Sequence, residues 1–181
     1  MLEQDNPQGV SQSAGKELFG LPSEQLEPHL RQLADTLRSR KLMLATAESC
    51  TGGMIAAACT DLAGSSDWFE RGFVSYSNAA KTDLLGVPSM LVLLHGAVSE
   101  PVVRAMASGA VLRSQAQVSM AVTGVAGPGG GTAAKPVGTV WFGWQVDGVL
   151  HSEVRQLAGD RATVRSETVR HAIVRLNELM A

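Results

Sequence analysis

The chain has 181 residues, 45% of them hydrophobic, with a formal net charge of −2, enough to bury a sizeable core and close to the usual size of one domain. Its Lys and Arg residues form no basic stripe, which argues against nucleic acid as a partner. The longest apolar run, around Met54 to Ala58, is far below the ~18–20 residues that cross a bilayer, and the N-terminus is polar where a signal peptide is apolar, so a cytoplasmic protein without a membrane partner is expected.

Residues 1–21 mix Gln, Ser, Gly, Asn and Pro with little periodic hydrophobicity and are expected to be a flexible tail; residues 22–181 then form the single domain. From Ser23, the residues Leu26, Leu30, Leu33 and Leu37 share one helical face, and the helix ends near Arg40, with Pro28 tolerable only in its first turn. Leu42 to Thr46 reads as a buried strand, and a helix follows from Thr51 to about Leu62. A second strand covers Gly72 to Tyr76; Asn78 is placed as the cap of a short helix through Leu85, and Pro88 ends or restarts the chain. Ser99 caps a further helix with Pro101 in its first turn and Val102, Val103, Met106 and Ala110 buried.

Val118 to Val122 is a third strand, and the glycine-rich stretch 124–138 is a loop. Thr139 to Val146 alternates as a strand, and Asp147-Gly148 is a two-residue hairpin signal leading into Val149 to Leu157. Trp141 and Trp144 have opposite parity on that strand, which suits packing rather than a stacking cage. The last helix starts at an Asp160 cap and turns Val164, Ala172, Ile173 and Leu176 inward. Helices alternating with single strands, then one hairpin, indicate an α/β fold, a three-layer α/β/α sandwich on a mixed, mostly parallel five-stranded sheet.

The chemistry concentrates at strand ends. In Thr46-Ala-Glu-Ser-Cys-Thr-Gly-Gly53 a strand runs into a helix opening, where Ser49 could act as a nucleophile beside free N–H groups that stabilise an oxyanion, or Ser49 or Thr51 could simply cap the helix. Glu48 reads as a solvated or capping carboxylate. Cys50 has no accompanying histidine, and the two cysteines, Cys50 and Cys59, lack disulfide or zinc-ligand spacing; both are expected to be reduced thiols. His29, His95, His151 and His171 are scattered, so no metal site is expected. No Gly-x-Ser-x-Gly or Ser-x-x-Lys pattern surrounds Ser49, so its base comes from elsewhere. Tyr76 and Lys81 lie at the next strand-to-helix junction, where a desolvated lysine could accept a proton or could be an exposed helix lysine. The loop after Thr123 and Gly124 has glycine enough for close ligand approach but matches neither a dinucleotide fingerprint nor a P-loop. Arg161 opens the last helix, with Arg165 one turn on, a setting suited to an anion. Four residues intervene between Tyr76 and Lys81 where short-chain dehydrogenases have three, which excludes that reading.

Assembled, these segments resemble the CinA C-terminal domain family. The resemblance rests on Thr46–Gly53, Ala63–Asn78, His95–Pro101, Thr123–Pro128 and Lys135–Trp141, and covers about Gln25 to the C-terminus; it is to the stand-alone form, without the family's larger N-terminal domain. It implies hydrolysis of nicotinamide mononucleotide to nicotinate mononucleotide and ammonia in pyridine nucleotide recycling, with Ser49 as nucleophile, Lys81 as base and Tyr76 assisting. Thr51, Gly52, Thr123, Gly124 and Arg161 are candidates for holding the nucleotide. It implies no cofactor and a homo-oligomer, a dimer first. The alternative is a non-catalytic, competence-associated nucleotide-binding module, which would not require the Ser49 and Lys81 pair.

Overall fold

The computed structural model describes residues 17–18 and 21–181; most of the expected tail, 1–21, lies outside them. Two short strands, β1 (Glu17–Leu18) and β2 (Leu21–Pro22), pair antiparallel ahead of α1 (Ser23–Arg40). The chain continues through β3 (Leu44–Glu48), α2 (Met54–Asp61), a 3₁₀ turn at Ser65–Asp67, β4 (Phe69–Val74), α3 (Asn78–Leu85), α4 (Ser89–His95) and α5 (Glu100–Leu112). It closes with β5 (Val118–Gly124), β6 (Thr139–Val146), β7 (Val149–Gln156) and α6 (Arg161–Leu179).

The five long strands form one mixed sheet in the order β4-β3-β5-β6-β7. β3 runs parallel to both β4 and β5, while β5–β6 and β6–β7 are antiparallel. Helices cover both faces, giving the expected three layers. Leu26, Leu33 and Leu37 of α1, Ile55 of α2 and Ala172, Ile173 and Leu176 of α6 pack with Leu44, Met120, Val122, Phe142 and Trp144 on one face. On the other, Val102, Val103 and Met106 of α5 and Leu85 of α3 lie against Ala45, Ala47 and Ala121. Small residues there let α5 approach closely: a Cβ on Gly143 would stand 2.9 Å from the Val103 carbonyl oxygen.

Strand parity positions the site. Successive side chains point to opposite faces, so Leu44, Thr46 and Glu48 face the α1/α2/α6 layer and Ala45, Ala47 and Ser49 the α3/α4/α5 layer. Glu48 accordingly meets α2, and Ser49 meets a residue of α3.

Several boundaries differ from expectation, each for a physical reason. β3 lies two residues later than Leu42–Thr46 and ends on Glu48, a charged residue that is fully buried because hydrogen-bond donors surround it. β4 covers Phe69–Val74 rather than Gly72–Tyr76. α2 begins at Met54, not Thr51, because Gly52 (φ 61°) and Gly53 (φ 98°) keep the chain in a turn. Ser77, not Asn78, caps α3, accepting from the Ala80 N–H. Pro28 sits inside α1 rather than in its first turn; the missing backbone bond is offset by burial of the leucine face, worth about 1.5–3 kcal/mol per side chain. The sequence pattern missed α4, in which Val92 is buried and Met90, Leu93 and Leu94 are exposed. Trp144 packs in the core and donates to the Ala172 carbonyl, while Trp141 is partly buried against the opposite layer. No described helix is long and apolar enough to cross a membrane.

Candidate active site

β3 delivers Ser49 to the carboxyl edge of the sheet. The Ser49 N–H bonds the Val122 carbonyl at 3.1 Å, and the Ser49 carbonyl accepts from the Gly52 N–H at 3.1 Å, which folds residues 49–52 into a turn. Beside it, β4 ends and Ser75 donates its N–H to the Glu48 carbonyl at 2.8 Å. The Ser77 cap starts α3 immediately afterward, so Lys81 falls in its first helical turns with its side chain directed back under the strand ends.

Lys81 is 1% exposed. Its Nζ lies 3.1 Å from Ser49 Oγ, 2.9 Å from the Ser75 carbonyl oxygen and 3.3 Å from the Tyr76 carbonyl oxygen. Burial holds its ammonium pKa below the usual lysine value, against a weaker opposing pull from Cys50. No carboxylate pairs with it among the described residues. A neutral amine has two N–H bonds and one lone pair; with the two carbonyls accepting both N–H groups, the lone pair is left for the Ser49 hydroxyl.

Around this pair is a cleft of about 190 Å³ lined by Ser49, Lys81, Tyr76, Thr123, Gly124 and Arg161, together with Cys50, Ala97, Val98 and Ala126. The Arg161 guanidinium donates to the Gly127 carbonyl at 2.8 Å and to the Tyr76 phenol oxygen at 3.4 Å, spanning the mouth. Thr123 donates to the Ala97 carbonyl at 3.0 Å, fixing the segment that enters α5. Gly124 is required by space, since a Cβ there would lie 2.7 Å from Val140 Cγ2 and 2.9 Å from the Thr139 carbonyl oxygen.

Thr51 and Gly52 stand elsewhere. Thr51 is fully buried, with its hydroxyl donating to Glu48 Oε2 at 2.6 Å. Gly52 borders a separate groove of about 480 Å³ shared with Arg165 and Ala162. Arg165 donates to the Cys50 and Thr51 carbonyls at 3.2 and 2.9 Å. The N-terminal N–H groups of α2, expected beside Ser49, are instead taken by Glu48, which accepts from Gly53, Ile55 and Ala56 at 2.8–3.0 Å. Cys50 and Cys59 are free, buried thiols, and burial pushes Cys50 up to about 12, so it is held as the thiol. Among the described residues no cluster of three or more His, Cys, Asp or Glu could hold a metal ion.

Reading the sequence for reactive side chains did not find Ser75, Ala97, Val98 or Ala126, which contribute backbone or apolar walls. The signal for Ala97 and Val98 was the His95–Pro101 motif, which has no nucleophile or base in the cleft to mark its place. A larger hollow of about 500 Å³ between α3 and α4 is bordered by Asn78, Thr82, Met90 and Leu93 and contains no acid, base or nucleophilic thiol.

The CinA C-terminal domain model matches residues 26–180. The chain belongs to the CinA C-terminal domain family. It is 53% identical over 148 residues to the nicotinamide-nucleotide amidohydrolase PncC of Pseudomonas putida, covering 82% of this chain and 92% of that one. It is 47% identical over 145 residues to the protein of the same name from Escherichia coli (strain K12), covering 78% and 87%. The crystal structure of a competence-damaged protein (CinA) superfamily protein from Escherichia coli superposes with a TM-score of 0.84 at 38% identity, covering 90% of this chain and 95% of the other.

Proposed function

We propose that this CinA-family domain, residues 22–181, hydrolyses the carboxamide of nicotinamide mononucleotide to nicotinate mononucleotide and ammonia in pyridine nucleotide recycling, by acyl transfer through Ser49. The observation that carries the mechanism is the environment of Lys81: a buried amine with two carbonyl acceptors and Ser49 Oγ at 3.1 Å. Anchoring a phosphate would call for an exposed cation at the cleft mouth, which describes Arg161 and not the buried Lys81.

In the first half-reaction Ser49 Oγ bonds to the carboxamide carbon while its proton passes to Lys81 Nζ. The carbon–nitrogen bond then breaks, and Lys81 returns the proton so that the nitrogen departs as ammonia, leaving an ester on Ser49. In the second, water adds to the ester carbon with Lys81 as base; the bond to Ser49 Oγ breaks, Ser49 regains a proton, and the acid leaves. At about 190 Å³ the cleft is below the ~300–1,000 Å³ of ordinary ligand sites, so it takes the pyridine carboxamide and leaves ribose and phosphate at the mouth, within reach of Arg161. Tyr76 contributes a carbonyl to Lys81 and a phenol to Arg161. No step calls on a metal or cofactor, and the activity of the two PncC relatives named above supports the substrate. A cytoplasmic homo-oligomer acting on this small nucleotide completes the reading.

The test is ammonia release from nicotinamide mononucleotide by the purified chain, with Ser49→Ala alongside. Turnover by the wild type and its loss in the variant support the proposal; absence of turnover in both, with the protein folded, overturns it.

A further inference from the structure

Glu48 is a fully buried acid to which the mechanism above gives no part. It is adjacent in sequence to the nucleophile, yet strand parity sends it to the opposite face of the sheet. There its carboxylate meets only donors. Oε2 accepts from Thr51 Oγ1 at 2.6 Å and from the N–H groups of Gly53 and Ile55 at 3.0 Å each; Oε1 accepts from the Ala56 N–H at 2.8 Å and Thr46 Oγ1 at 3.3 Å.

This is a helix cap supplied from outside the usual position. The residue at the N-cap of α2 is Gly53, which has no side chain to offer, so a strand residue satisfies three of the N–H groups that a helix start leaves open. Two consequences reach Ser49. The first is rigidity: the turn is tied on its inner side by the Thr51 hydroxyl, at the strand end by Ser75, and on its outer side by Arg165. The second concerns donors. With Gly53, Ile55 and Ala56 committed to Glu48, these three N–H groups of the helix start are withheld from an oxyanion. Within the turn the Ser49 N–H goes to Val122 and the Gly52 N–H to Ser49. Among the described residues no acceptor oxygen takes the N–H of Cys50, the neighbouring residue that lines the cleft.

We propose that Glu48 is a positioning residue for the proposed hydrolysis: by capping α2 from β3 it fixes the Ser49 turn so that the Cys50 N–H meets the oxygen of the tetrahedral intermediate. The inference rests on Ser49 being the nucleophile. An uncharged Gln at this place puts an N–H₂ group against the Ala56 or Ile55 N–H, setting donor against donor, and Asp withdraws the carboxylate by one methylene. Thr51→Val removes one tie without changing the side chain's size or shape.

The experiment measures kcat and KM for nicotinamide mononucleotide, the thermal midpoint, and inhibition by the mononucleotide of pyridine-3-carboxaldehyde, which would form a hemiacetal with Ser49. Variants are Glu48→Gln, Glu48→Asp and Thr51→Val, with Ser49→Ala as reference. Small displacements of reacting groups cost on the order of 10²-fold, so Glu48→Gln and Glu48→Asp should lower kcat by about that factor and Thr51→Val by about tenfold, with KM within about twofold. Affinity for the aldehyde should fall in step with kcat, as expected for a mimic of the intermediate. A lowered thermal midpoint with kcat per folded molecule and aldehyde affinity unchanged would reduce Glu48 to a structural cap and overturn the proposal. If Glu48→Gln and Glu48→Asp do not fold, Thr51→Val decides by the same readouts. Loss of turnover in Ser49→Ala beside unchanged kinetics in the Glu48 and Thr51 variants overturns this inference alone; retained turnover in Ser49→Ala overturns the Ser49 mechanism and this inference with it.

Discussion

Arg161 donates to the Tyr76 phenol oxygen at 3.4 Å across 85 positions of sequence, while Lys81 Nζ meets the carbonyl of the same tyrosine at 3.3 Å. The two ends of Tyr76 therefore serve different partners: its backbone steadies the proposed base, and its phenol, on a side chain that is 61% exposed, orients a cation at the cleft mouth. Tyr76→Phe removes only the second contact. It should raise KM for the mononucleotide several-fold, change kcat by less than about tenfold, and leave the pH dependence of kcat in place. Steady-state kinetics across pH decide this; a displaced profile would mean that the phenol takes part in proton transfer.

The base role of Lys81 makes a sharper demand. Burial lowers its pKa, and only the neutral amine accepts the Ser49 proton, so kcat/KM should rise with pH as Lys81 deprotonates and level off above its pKa. Lys81→Arg keeps a cation but offers no base near neutrality. Turnover should fall by about 10³-fold or more, while binding of the mononucleotide, followed by calorimetry, changes little. Retained turnover, or a loss confined to affinity, would make Lys81 an anchor.

Some of this was legible in the chain and some was not, for local reasons. Asp147-Gly148 marked its hairpin because both residues must adopt positive φ, and they do, at 52° and 77°. Asp160 marked the start of α6 because its carboxylate accepts from the Thr163 N–H. Ser49 and Lys81 were singled out as candidate reactive groups at two strand ends, and parallel pairing of β3 with β4 brings those ends together. For Glu48 two readings stood open, solvated or capping, and capping is the one found; its burial escaped notice because a carboxylate in a strand normally signals solvent, and its partners come five to eight residues later, through a helix start that sequence spacing placed too early. α4 escaped notice because exposed apolar residues blur the periodicity that marks an amphipathic helix.

Substrate size carries the third prediction. In the proposed reading a cleft of about 190 Å³ would receive the carboxamide end alone, leaving discrimination between nucleotide and nucleoside to the mouth, where Arg161 has no carboxylate partner among the described residues. Nicotinamide riboside and free nicotinamide should have specificity constants lower by about 10²-fold or more, because the binding energy of the phosphate is unavailable to them. Arg161→Met should lower the value for the mononucleotide toward that of the riboside and leave the riboside nearly unaffected. Comparable constants for all three substrates with the wild-type chain would remove the anion site from the mouth of this cleft.

Lys81 also links the site to stability. In the unfolded chain it titrates near 10.5, whereas burial lowers its value in the fold. Between those two values the unfolded state holds more protons than the folded one, so the free energy of unfolding rises with pH through that window, by up to about 1.4 kcal/mol per pH unit. Below the window both states are protonated, and the fold bears the whole cost of a buried ammonium; above it neither is, and the cost is gone. Lys81→Met removes the titration, along with the hydrogen bonds to the Ser75 and Tyr76 carbonyls, whose loss is the same at every pH once the lysine is neutral. The stability of the variant relative to wild type should therefore be most favourable to the variant below that window and decline through it as pH climbs toward 10.5. Urea unfolding of both proteins at matched ionic strength, at half-unit steps from pH 7, measures the difference directly. A difference that stays flat over that range would mean Lys81 titrates alike in both states, and the neutral-base mechanism would lose its physical footing.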